Sequence, residues 1–185
     1  EGFFIQFNIN SVEKWQQKFG DEIHSRLSEM QQRQQNAEYL PFPSAKFVLV
    51  HTFSHLLIKQ LCFQSGYQAA SIKERLYVND LKGMCGVLIY TADADSEGSL
   101  GGLVRMSDEK RLADSIRSML DTAGWCSADP TCIEIGSPGT RGLNKAACHA
   151  CSLISETSCA NMNALLDRGL LIGSKSENLK GYFDQ

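Results

Sequence analysis

Apolar residues recur along this chain with two periods, one of strands and one of helices. Residues 2–7 (Gly-Phe-Phe-Ile-Gln-Phe) are apolar and β-prone and predict a strand. Trp15, Phe19, Ile23, Leu27 and Met30 then repeat every three or four positions, the stripe of one amphipathic helix, with Asn10 and Glu13 at capping-box spacing near its start. Gly20 interrupts that stripe, and Pro41 and Pro43 break the chain after it. From Ser44 to about Gly66 apolar side chains populate most faces, which predicts a helix buried on several sides with Gly66 just past its end. Residues 71–78 form a short amphipathic stretch, and 84–91 (M-C-G-V-L-I-Y-T) read as a buried strand. Ser107 is placed to cap a further helix whose stripe is Leu112, Ile116, Met119, Leu120 and Ala123, with Gly124 beyond it. Residues 160–173 predict a short helix docked through Leu165, Leu166 and Leu170, and the tail after it an exposed end.

These elements predict a mixed α+β (α/β) fold, a small central sheet flanked by helices, with a cysteine-rich C-terminal subdomain. The expected division is a core at 1–124, a four-cysteine unit at 125–173 and a tail at 174–185. The opening on Glu1, straight into a strand with no initiator methionine, reads as a piece cut from a longer protein.

The cysteines change the picture most. Five of the seven fall between Cys126 and Cys159, in W-C-S-A-D-P-T-C, A-A-C-H-A-C and E-T-S-C. The C-x-x-C of Cys148 and Cys151 puts two thiolates on one knuckle, and returning thiols can complete the tetrahedron that Zn²⁺ takes with sulfur. The Gly/Pro-rich stretch 133–147 lets the chain come back. Five thiols compete for four places; the expected set is Cys132, Cys148, Cys151 and Cys159, with Cys126 as the substitute for Cys132. One structural zinc is the expected cofactor. A pair of disulfides is the bland reading, which clustered cysteines in a cytoplasmic chain disfavour. A redox C-x-x-C lacks its usual strand-to-helix setting here. His149, inside the knuckle, is expected to face solvent or a partner.

Charge and composition exclude more than they assign. Net charge is −3, so no global basic field advertises nucleic acid, although a local patch remains open. No apolar run reaches the ~18 residues of a membrane span, so no membrane partner is expected. His51 and His55 are four apart and share a helix face, yet Thr52 stands where a zinc metalloprotease motif needs Glu. Two hydrogen-bonded histidines facing a polar pocket or neighbouring element are the expectation. Glu74, Arg75 and Tyr77 read first as an ion pair with a packed Tyr, and second as a site facing those histidines. Asp93, Asp95 and Glu97 lie in a Gly-rich loop that matches neither an EF-hand nor a Walker motif. A hydrolase built from His51, His55, Glu74 and Asp93 is the enzymatic alternative, though the His-x-Lys-x4-Asp signature of phospholipase-D-like nucleases fails at both histidines.

H-T-F-S-H-L-L-I (51–58), S-I-K-E-R-L-Y (71–77), G-V-L-I-Y-T-A-D-A-D-S-E-G-S-L-G-G-L (86–103), C-H-A-C-x7-C and N-x-L-L-D-R (163–168) occur together and in order. In these the chain resembles the MrfA-type zinc-binding (MZB) domain, and W-C-S-A-D-P-T-C with A-A-C-H-A-C-x4-E-T-S-C is most similar to the DrmB branch of the DISARM antiphage system. The resemblance implies a zinc-stabilised accessory domain working with a superfamily 2 helicase subunit or upstream helicase domains, in phage defence or DNA repair, with DNA as a further partner. It implies zinc ligation by Cys148, Cys151 and Cys159, and then by Cys132. No Walker motif is present, so this stretch itself does not hydrolyse ATP.

Overall fold

In a computed structural model that describes residues 1–91, 101–134 and 142–184, a three-stranded antiparallel sheet is laid against one long buried helix. β1 (Gly2–Gln6), β2 (Ile72–Asn79) and β3 (Met84–Thr91) stand in the order β1-β3-β2. Phe3, Ile89 and Glu74 lie opposite one another across the three strands, as do Ile5, Val87 and Leu76. Strand side chains alternate, so this register gathers Phe3, Ile5, Ile72, Glu74, Leu76, Val87 and Ile89 on one face and leaves Phe4, Lys73, Arg75 and Tyr77 on the other. Glu74 is thus the one acid on an otherwise apolar inner face.

The helix behind that face is α3 (Ala45–Ser65). The Ser44 side chain accepts from Phe47 N at 3.2 Å at its start, and Gly66 ends it at φ 71°, a left-handed position that a Cβ disfavours. From Ala45 to Ile58 every residue of α3 is buried. The remaining helices are α1 (Ile9–Lys18), α2 (Gly20–Gln34), α4 (Gly102–Arg105), α5 (Glu109–Ala123), α6 (Thr131–Glu134) and α7 (Gly169–Ile172). No helix among the described residues is long and apolar enough to cross a membrane.

The mixed α+β class is as the periodicity predicts, and several details differ. The single long helix expected across Gly20 is two: Phe19 leaves helical geometry (φ −122°, ψ 29°), and the stripe continues on α2. Asn8, rather than Asn10, caps α1, and Asp108, rather than Ser107, caps α5. The helix expected over 160–173 is confined to α7. Met162, Asn163 and Leu165 all have positive φ, so the chain turns tightly there instead of coiling. The tail does not hang free: Ser174 bridges to Leu179, the Trp15 indole donates to Lys180 O at 2.9 Å, and Tyr182 and Phe183 pack against Phe7.

A buried ion pair fixes α2 to the C-terminal part. Arg26 forks onto Asp167, with Nε–Oδ2 at 2.6 Å and Nη2–Oδ1 at 2.7 Å, and also meets Glu177. Gly169 makes room for this guanidinium, since a Cβ there would fall 2.3 Å from Nη2.

Candidate metal centre

Four of the five clustered cysteines converge. Cys126 follows α5, Cys132 sits on α6, and Cys148 and Cys151 close the knuckle. Cys126 Sγ lies 3.5 Å from Cys148 Sγ, Cys132 Sγ lies 3.8 Å from Cys151 Sγ, and the knuckle sulfurs are 3.7 Å apart. All seven cysteines are free thiols. These separations are far beyond the ~2.05 Å of a disulfide. They approach the edge, about 3.8 Å, of a tetrahedron with ~2.3 Å zinc–sulfur arms.

The backbone is bent to suit the sulfurs. Ala128 N donates to Cys126 Sγ at 3.4 Å, Cys148 N to Cys151 Sγ at 3.3 Å, and Ser152 Oγ to Cys151 Sγ at 3.3 Å. Arg168, fully buried, ties the loops around them: it donates to Ala123 O at 2.7 Å and Ala146 O at 3.1 Å and pairs with Asp129. Cys151 is the natural thiolate of the four. The Cys132 thiol donates to it, burial opposes, and Ser152, the Cys148 amide and Arg168 then help bring it down to about 4. The same shared proton pushes Cys132 up. His149 in the knuckle is exposed.

Cys159, expected among the zinc thiols, is carried elsewhere. Its fourth place in the sulfur group is taken by Cys126, while Cys132 keeps its own. The turn after residue 159 swings its sulfur under α3, where it meets His51, His55 and Glu74. His51 Nε2 is 3.3 Å from Cys159 Sγ and 3.0 Å from Glu74 Oε1; His55 Nε2 is 3.3 Å from that same oxygen. Burial alone would raise the Cys159 thiol, but the two histidines outweigh it and hold it at about 6. Burial would likewise lower His51, and Glu74 with Cys159 lifts it to about 10.

The second reading of Glu74, a group facing the histidines, is the arrangement found. Arg75 points to the opposite sheet face, 5.8 Å from the Tyr77 ring, and makes no pair with Glu74. The His51, His55 and Glu74 side chains are each 0% exposed. Asp93, the fourth residue of the hydrolase alternative, lies outside the described residues, as do Asp95 and Glu97. Sequence reasoning missed Arg26, Asn144 and Asp167. These polar groups stitch the sulfur-bearing loops together: Asn144 bonds Asn163 O and Leu166 N, and Asp167 receives Arg26 and Gly169 N. Asp167 and Arg168 do sit in the N-x-L-L-D-R motif, and a charged pair inside an apolar run was the available signal.

Comparison with known proteins shows what the chain is similar to. The sequence model of the family described as MrfA Zn-binding domain matches residues 53–152. The DISARM protein DrmB of Bacillus paralicheniformis is 41% identical over 188 residues, an alignment that takes in 99% of this chain. The chain spans 33% of that relative's length.

Proposed function

The chain belongs to the family of MrfA Zn-binding domains, and we propose that it is a non-catalytic accessory module of a DISARM-type, helicase-associated defence assembly, folded around one Zn²⁺ held by Cys126, Cys132, Cys148 and Cys151. The observation that supports the ligand set is the sulfur geometry, with three separations of 3.5–3.8 Å among four thiols drawn from three segments. Bound zinc supplies folding energy to a loop-rich region that has few apolar groups of its own to bury. Arg168 holds the loops in place and offsets thiolate charge.

Similarity to a DISARM protein supports placing the module in such an assembly, where it docks on a superfamily 2 helicase subunit or on helicase domains of its own chain. DNA engagement is assigned to the outer sheet face. Phe4 is 51% exposed there, edge-on to Tyr77 at 5.6 Å, with Arg75 exposed alongside. Exposed rings beside cations suit the bases and phosphates of single-stranded DNA.

The ligand set is tested by metal analysis of the purified full-length protein. Cys126→Ser removes the zinc bound in an all-sulfur shell, and Cys159→Ser retains it. Loss of the all-sulfur zinc in Cys159→Ser with retention in Cys126→Ser overturns the assignment.

A further inference from the structure

The protein holds a second group of ligand atoms, separate from the four sulfurs. His51 and His55 from α3, Glu74 from β2 and Cys159 from the C-terminal turn each offer one ligand atom, all within 4.8 Å of one another. We propose that this is a second, closed zinc site, with His51 Nε2, His55 Nε2, Glu74 Oε1 and Cys159 Sγ as its four ligands.

The tautomers point the same way. His51 Nδ1 is 3.3 Å from Leu165 O, and His55 Nδ1 is 3.1 Å from Ser152 O. A carbonyl only accepts, so each Nδ1 carries a proton, and an ion that replaces the inner proton would meet an Nε2 lone pair from each ring. The Nδ1 contact is the outer hydrogen bond that orients metal-bound histidine. Glu74 is held similarly, with Oε2 taken by the Ser54 hydroxyl and Oε1 left facing the centre. Cys159 Sγ accepts Asn161 N at 3.3 Å and Asn163 N at 3.4 Å, the backbone wrapping that steadies a thiolate. That wrap uses Met162 and Asn163 at φ 54° and 55°, conformations that non-glycine residues keep only where their surroundings demand it.

Two atoms of the centre stand without a hydrogen-bond partner. His55 Nε2 and Glu74 Oε1 are fully buried without a hydrogen-bond partner, although they are only 3.3 Å apart. A carboxylate and a thiolate brought together in a dry interior are costly unless positive charge sits between them, and one divalent ion supplies it to both. The contacts of 3.0–3.3 Å lie near the edges, about 3.3–3.8 Å, of a tetrahedron with ~2.0–2.3 Å arms. One thiolate and one carboxylate balance a divalent ion, and imidazole with thiolate suits Zn²⁺. With no ligand open to solvent the site is structural, clamping α3 and β2 to the C-terminal turn.

The test is metal content and zinc K-edge X-ray absorption on the full-length protein, followed by variants. Two zinc ions per module are expected, with a mean shell that mixes zinc–sulfur at ~2.3 Å and zinc–nitrogen or –oxygen at ~2.0 Å. His55→Ala should cut the zinc content by one and leave an all-sulfur shell; Cys148→Ser should cut it by one and leave the mixed shell. One zinc in an all-sulfur environment in the wild type overturns the proposal whatever the variants do. A single zinc in a mixed shell upholds it and counts against the four-cysteine assignment instead.

Discussion

Asp167 is a carboxylate whose whole surroundings are protein. It takes both prongs of Arg26, accepts Gly169 N at 2.9 Å, and through its own amide donates to Thr52 Oγ1 at 2.9 Å. Removing one partner of a buried pair strands the other charge, at a cost of about 3–5 kcal/mol. Asp167→Ala should therefore destabilise the protein near the lower end of that range, because Glu177 still reaches Arg26. Urea unfolding measures it, and a change below ~1 kcal/mol would refute the assignment. The same residue scale marks what a sequence can disclose about the metal ligands. The C-x-x-C of Cys148 and Cys151 is local, fixed by one turn, and legible. Cys159 is not, because the seven residues between it and Cys151 let its sulfur turn back to the knuckle or away under α3. Asn161 N and Asn163 N hold that sulfur from a positive-φ turn at Met162 and Asn163, and no spacing rule contains it. Glu74 was half legible, since alternation places it in line with Ile72 on the buried face.

The sheet carries a prediction as an element. Its inner face is committed to α3, and its outer face leaves Phe4, Arg75 and Tyr77 without cover from any described element. If that face takes single-stranded DNA, Phe4→Ala should cost about 1–3 kcal/mol of binding through lost stacking. Arg75→Ala should lower the salt slope of binding by about one. Fluorescence anisotropy over a salt series reads both; binding indifferent to the two changes would move the DNA contact to another surface. Elements with continuous packing were the easily read ones. α3 was legible from Ser44 to Gly66 because burial on every side and both end signals agree. The break at Phe19 was invisible because α1 and α2 keep one apolar stripe through a single non-helical residue. The stretch 160–173 misled because Leu165, Leu166 and Leu170 have helical spacing, while Asn144, Asn163 and Asp167 divert their backbone into side-chain hydrogen bonds.

At the scale of the molecule, the cysteine-bearing half leans on α3 along most of its length. Lys59 Nζ reaches the carbonyls of His149, Ala150 and Leu153 at 3.1–3.4 Å, Glu74 N donates to Ser158 O at 3.1 Å, and Ser158 Oγ to Ala69 O at 2.8 Å. Ser152 joins the two centres: its carbonyl holds the His55 ring while its hydroxyl donates to Cys151 Sγ. Residues 125–173 therefore share hydrogen bonds and core with 1–124. Stripping metal with a strong chelator should loosen both together. Hydrogen exchange with mass spectrometry on the full-length protein follows this peptide by peptide. Protection should fall in 143–172 and, in the same step, in the middle of α3 around His51 and His55. The sheet's far strand β1, which touches neither centre, should keep more of its protection. Loss confined to 126–151 with α3 unchanged would mean that zinc fastens only the knuckle, and that the helix and sheet hold their shape without it.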